Sequence, residues 1–275
     1  MVARRMVNRR AMGLMVAALA ALALPATALA LRLRAAAARQ PARTSIPTST
    51  TSRGVPQIGP LYANAHATTH GCTASVVHSP RGDTLVTAAH CVSGTGAGMV
   101  FEPGQHGAQG PYGRWTVTAA HVEHKWVARR DPDGDVAFLT VAPQTINGVR
   151  TSVEHVTGAY LLGSTAGRGQ RVTVTGYPAG SADDPITCTT KTYLTREFPT
   201  FDCRGYVSGT SGTPWLRVTA RGAQIVGVIG GLNQGGCHDY TSYSSPLAQD
   251  ADDAYHRAAD HDAPDVAPQA GDDGC

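Results

Sequence analysis

Leu85-Val86-Thr87-Ala88-Ala89-His90-Cys91 is the stretch on which the fold of this chain turns. Thr84–Thr87 is a short β-branched and apolar run that reads as a strand, and a histidine and a cysteine follow directly after it. Similar runs recur on both sides: Cys72–Val77, Trp115–Thr118, Val136–Val141, Gln170–Gly176, Trp215–Val218 and Gln224–Ile229. Arg171-Val172-Thr173-Val174-Thr175 alternates with period two, as a half-buried strand does. Ser79-Pro80-Arg81-Gly82-Asp83 reads as a turn between two runs, its Arg-Gly-Asp triplet included. The composition agrees. Gly (31) and Pro (17) are frequent and charged residues make up only 16%, which favours strands and turns over a helical bundle. A hydrophobic content of 42% excludes wholesale disorder, and 275 residues suffice for a sizeable core.

The two ends differ from this middle. Residues 1–54 carry nine Arg and no acidic residue, which leaves 14 Lys and Arg against 20 Asp and Glu in residues 55–275. The basic excess belongs to the leader, so nucleic acid is not expected as a partner of the body. Arg4, Arg5, Arg9 and Arg10 precede an apolar run over 11–24, Pro25 breaks it, and small residues follow. Residues 1–30 therefore read as a signal peptide, with a retained anchor as the alternative. The rest is expected to be secreted, to act as a monomer and to make no membrane contact once the signal is removed. Residues 31–54 read as a pro-segment or linker, and 250–275 as an acidic tail containing a short helix (248–259) and otherwise solvated.

Three segments carry chemistry: the one ending in His90-Cys91, Asp133-Gly134-Asp135-Val136-Ala137-Phe138-Leu139, and Ser208-Gly209-Thr210-Ser211-Gly212-Thr213-Pro214-Trp215. A serine hydroxyl is a weak nucleophile that needs a base within hydrogen-bond reach. Imidazole can take that proton and return it to a leaving group, and a buried carboxylate on its other nitrogen fixes the tautomer. Gly209 can adopt backbone conformations closed to other residues, so that the amides of Gly209 and Ser211 aim at one point as an oxyanion hole. The six cysteines, in an exported chain, read as disulfides, with 15 pairings open. A zinc site assembled from His70, Cys72, His90 and Cys91 is the weaker rival, because its spacing is not that of a metal motif. No metal and no cofactor are expected.

These motifs resemble those of the chymotrypsin-like (trypsin-like) serine peptidases. Thr87-Ala88-Ala89-His90-Cys91 is similar to the family's histidine motif and Asp135-Val136-Ala137 to its aspartate motif. Gly209-Thr210-Ser211-Gly212-Thr213-Pro214 is similar to its serine motif, closer to that of the bacterial glutamyl-endopeptidase-like branch. The resemblance spans about residues 58–249, within a peptidase domain placed at 55–249. It implies an all-β fold of two antiparallel six-stranded barrels, with the boundary near 145–160 and the site in the cleft between them. It implies a secreted serine endopeptidase of the trypsin-like, zymogen-forming kind, with protein or peptide substrates and a triad of His90, Asp135 and Ser211. Asp131 and Asp133 lie near enough to compete with Asp135. It also implies the disulfides Cys72–Cys91 and Cys188–Cys203; Cys237 and Cys275 are left either to pair or to leave Cys275 for another chain. The alternative function is a non-catalytic protein-binding member of the same fold, or a membrane-anchored peptidase.

The sequence departs from the resemblance in places. Thr210 replaces the carboxylate of digestive members, Gly230 stands where many members carry serine, and Gly205 occupies the place of the aspartate with which trypsins read Lys and Arg. Ile229 stands where glutamyl endopeptidases place a histidine, although His238 is close by.

Overall fold

The structure, a computed structural model, describes residues 45–107, 110–179 and 184–275; the leader and residues 31–44 of the expected pro-segment lie outside the described residues. Six strands of the first half close into a barrel: β1 (Ile58–Tyr62), β2 (Cys72–Val77), β3 (Thr84–Thr87), β4 (Val100–Phe101), β5 (Trp115–Val122) and β6 (Ala137–Val141). Their order is β1-β2-β3-β6-β5-β4, and every neighbouring pair is antiparallel. The apolar runs are nearly continuous because both faces of several strands are buried. Val76, Leu85, Ala137 and Leu139 point into the barrel with Trp115 and Trp126, whereas Val77, Val86, Val136 and Phe138 point outward onto the second half.

After the barrel, a hairpin of Gln144–Ile146 with Val149–Thr151 turns on Asn147-Gly148, both left-handed (φ 51° and 81°), the chemistry a two-residue turn requires. Among the described residues the second half contributes β7 (Leu161–Leu162), β8 (Arg171–Gly176), β9 (Ile186–Thr195), β10 (Phe198–Asp202), β11 (Pro214–Thr219), β12 (Gly222–Val228) and β13 (Thr241–Tyr243). Among the described residues their pairing does not close the expected second six-stranded barrel. The order β7-β12-β11-β8-β9-β10-β13, with Thr50–Thr51 added on β9, makes an eight-stranded sheet. Its two ends are only two and three residues long, and β7 spends its pairing on a parallel ladder with β12. Leu216, Ile225 and Val228 cover their apolar surface against Ile58, Val77 and Val86 of the first barrel.

Both flanking segments depart from a purely solvated reading. Within the expected linker, the Ser49 amide donates to the Arg204 carbonyl (3.0 Å) and that of Ser52 to Pro185 (2.7 Å), so residues 48–52 belong to the second sheet. The described residues form the helices α1 (His124–Arg129), α2 (Val153–Thr157) and, in the acidic tail, α3 (Gln249–Asp260), which packs Ala251, Ala254 and Ala258 into the cluster shared by the two halves. The small side chains let the helix axis approach closely, and its acids face outward. Just past α3, His261 Nε2 meets Asp83 Oδ2 at 2.9 Å, which ties down the Arg-Gly-Asp turn. No helix among the described residues is long and apolar enough to cross a membrane.

Glu123, between β5 and α1, is 2% exposed, and its Oε1 has no hydrogen-bond partner. Burial, opposed by Lys125 and reinforced by Asp250, Asp133 and Asp135, raises its carboxyl from the ordinary 4.5 to about 8. Between these values the folded chain holds a proton that the unfolded chain has released. Stability therefore falls as pH rises through this window, by up to about 1.4 kcal/mol per pH unit, and levels off above it. Glu123→Gln should flatten that slope. Urea midpoints measured from pH 5 to 8 check it: equal slopes in the two proteins would show that Glu123 ionises freely in the fold.

Candidate active site

β3 and β6 are antiparallel neighbours, with Thr87 opposite Ala137. The chain leaving β3 and the chain entering β6 therefore lie side by side. A short 3-10 turn, Ala89–Cys91, carries His90 at the first of these points, and Asp135 sits at the second after the turn Pro132–Gly134. Asp135 is fully buried. Its Oδ2 lies 2.8 Å from His90 Nδ1, its Oδ1 accepts the His90 amide (2.8 Å), and its Oδ2 also accepts the Gly231 amide (2.8 Å). A carboxylate can only accept, so Nδ1 carries the proton and Nε2 is left as the basic nitrogen. Of the neighbouring carboxylates, Asp131 accepts from the Asp133 amide and from Arg129, away from this imidazole.

The serine segment reaches this pair across the two halves. Thr73 of β2 donates its amide to the Ser211 carbonyl (2.7 Å) and its hydroxyl to the Gly209 carbonyl (3.0 Å), while its own carbonyl accepts the Thr87 hydroxyl (2.8 Å). Two glycines are required by close approach. A Cβ on Gly212 (φ 80°) would lie 2.1 Å from Thr87 Oγ1 and 2.2 Å from the Thr73 carbonyl, and one on Gly209 (φ 91°) 2.3 Å from the Ala179 amide. The Thr210 amide and hydroxyl both go to the Val207 carbonyl (3.1 and 2.7 Å). The amides on either side of it, Gly209 and Ser211, have no acceptor among the described residues. His90, Gly209 and Ser211 line one cleft of about 610 Å3, and no hydrogen bond joins Ser211 Oγ to His90.

The cysteines pair as Cys72–Cys91, Cys188–Cys203 and Cys237–Cys275. The first bridge holds the turn that carries His90. His90 does lie near both of its sulfurs, but the two are joined and offer no thiolate to a metal. A Cβ on Gly205 (φ 105°) would lie 2.4 Å from Ser49 Oγ, so the N-terminal segment packs directly against this position. Gly230 is also tight, with its Cβ position 3.0 Å from Asp135 Oδ2. The sequence reading did not single out Thr73 or Gly231, which act through backbone positions that no local pattern marks.

The comparisons agree with this architecture. The crystal structure of protease Anisep from Arthrobacter nicotinovorans is 23% identical at a TM-score of 0.65, covering 78% of this chain and 100% of that one. That of the thermostable serine protease AL20 from an extremophilic microorganism is 22% identical at 0.61, covering 74% and 97%. A Glu endopeptidase structure is 16% identical at 0.56, covering 78% and 98%. At these identities the likeness is one of fold. No curated protein sequence matches the chain. The model of the trypsin-like peptidase domain matches residues 72–228, more than half of the chain, and the chain therefore belongs to the trypsin-like peptidase family.

Proposed function

We propose that this protein is a secreted serine endopeptidase that cleaves peptide bonds through an acyl-enzyme formed on Ser211. The observation that supports this best is the Asp135–His90 pair opening on the same cleft as Ser211, whose own amide and that of Gly209 have no acceptor among the described residues. His90 Nε2 takes the Ser211 proton as Oγ attacks the substrate carbonyl. The oxyanion that forms accepts from the amides of Gly209 and Ser211, each donor contributing about 3–4 kcal/mol. The imidazolium then protonates the leaving amine, and water repeats the sequence to release the acyl group. Three disulfides and an apolar leader support export. On this reading residues 1–30 are the signal, 55–249 hold the peptidase machinery and the chain acts as a monomer.

Activation follows from Thr210. It is buried and carries no charge, and its hydroxyl is already bound to Val207, so it offers nothing to a buried N-terminal ammonium. Residues 48–52 then serve as a sheet edge, and the residues before them as a removable pro-segment, rather than as a charged latch.

Ser211→Ala and His90→Ala should each lower peptide hydrolysis by several orders of magnitude, and Asp135→Asn by about 10⁴. A fluorophosphonate probe should label the native chain and not Ser211→Ala. Absence of labelling in the folded native protein would favour the non-catalytic binding reading, and near-normal turnover in Asp135→Asn would move the carboxylate role to Asp133. Chains beginning at Ile46 should be equally active with the terminal amine free or acetylated. Activity lost on acetylation would reveal an ammonium latch with another carboxylate as its partner.

A further inference from the structure

The segment after α3 is a strap tethered along its length. Asp265 Oδ2 accepts the Val122 amide (2.8 Å) and pairs with Arg257 (2.6 Å), and Ala267 bridges antiparallel to Gly94 on the first barrel. The Gln269 carbonyl accepts Arg130 Nε (2.7 Å). Beyond this point the strap reaches the second half. The Gly271 carbonyl accepts Gln234 Nε2 (3.0 Å), that of Asp273 accepts Asn233 Nδ2 (2.9 Å), and Cys275 is bonded to Cys237. Asn233, Gln234, Cys237 and Asp273 all line the cleft that holds His90 and Ser211.

The strap thus forms part of a wall of that cleft, and it brings charge. Among the described residues lining the cleft there is no Lys or Arg, and the carboxylates are Asp239 and Asp273. Both are exposed and neither has a cation within ion-pair distance among the described residues. Asp273 Oδ1 accepts the Cys275 amide (2.9 Å), a bond that does not engage Oδ2. The unpartnered amides of Gly209 and Ser211 mark the same cleft as one that receives a peptide, on grounds independent of charge. A groove with carboxylates of one sign and no Lys or Arg in its lining concentrates cationic ligands and repels anionic ones.

We infer that Asp273, presented by the disulfide-clasped strap and joined by Asp239, is a specificity-determining residue that selects peptide substrates carrying a basic side chain. This rests on the proposed peptidase reading for the identity of the ligand as a substrate. Gly205, which the resemblance aligns with the trypsin aspartate, has no side chain, and the carboxylate comes instead from a segment more than sixty residues later.

The test uses the folded, disulfide-intact Ser211→Ala protein, which should bind peptides without cutting them. Fluorescence polarisation reports its affinity for neutral peptides in which a single Lys is scanned along the sequence, and for the Glu counterparts. At least one Lys peptide should bind about fivefold tighter than its Glu twin at low salt, with the ratio shrinking in 0.5 M salt. Adding Asp273→Asn should reduce that ratio to about twofold or less, and Asp273→Lys should invert it. A ratio that ignores both substitutions, a preference for Glu, or no measurable binding of any Lys peptide would overturn the inference. Fluorophosphonate labelling of the native chain separates this from the underlying reading. Labelling without charge preference leaves the peptidase and removes the strap's role; charge preference without labelling does the reverse.

Discussion

A fully buried carboxylate is the constraint around which this molecule is arranged. Asp135 has no contact with water, and an ionised group so placed is tolerated only where donors replace its hydration. Three do: the ring and the amide of His90 and the amide of Gly231. Two come from the turn after β3 and one from the second half of the chain, so satisfying this single charge requires both halves to be in register. Gly230 follows from the same demand, because its missing side chain leaves the backbone room to approach the carboxylate. The bridge from Cys72 to Cys91 acts on the other side, fixing the turn whose amide and ring supply two of the three donors.

The serine loop obeys a complementary rule. Its carbonyls are occupied by Thr73 while its two key amides are left open. A loop with free amides is stable only if its other polar groups are well tied. Thr73 does this with three groups at once, its amide, hydroxyl and carbonyl, the last through Thr87. Gly209 and Gly212 let the loop pass within van der Waals distance of Ala179 and Thr87. Strand β2 of the first barrel therefore positions a residue that lies about 140 positions later in the chain.

What could be read from sequence divides along the same lines. The three segments that meet at the cleft were legible because each is marked by its own neighbours: a histidine closing a strand, an aspartate opening an apolar run, a serine beside glycines. Four strands of the first barrel were legible, in whole or in part, as apolar runs, Cys72–Val77, Thr84–Thr87, Trp115–Val122 and Ala137–Val141; Ile58–Tyr62, interrupted by Gly59 and Pro60, and the two-residue Val100–Phe101 were not, and the barrel itself came only from the resemblance. Ile186–Thr195 was not, since ITCTTKTYLT is threonine-rich and half-exposed; its stability comes from cross-strand pairs such as Thr173–Thr189 and Thr175–Thr187 rather than from an apolar face. The second barrel expected from the resemblance was not legible in any run of residues, and how the short edge strands of the second half pair is not marked there either. The Asn147-Gly148 turn carries its signal in the dipeptide itself, since both residues adopt the left-handed backbone the hairpin needs, although the sequence reading did not single it out.

The tail shows why charge composition misleads about burial. Eight acidic residues between Asp250 and Cys275 suggest solvation, but a helix is judged by its stripe. Ala251, Ala254 and Ala258 recur at spacings of three and four, and a stripe of methyl groups against the inter-half cluster lets acidic side chains occupy the opposite face at no cost in burial. Acids at the start of the helix, Asp250 and Asp252, also sit favourably at its positive end. Once α3 is seated beside β5 and β6, the residues after it can reach the cleft only by passing over Gly94 and Arg130, the route the strap takes. The alanine stripe thus determines where the strap starts, the bond to Cys237 determines where it stops, and the span between the two leaves Asp273 beside the serine cleft.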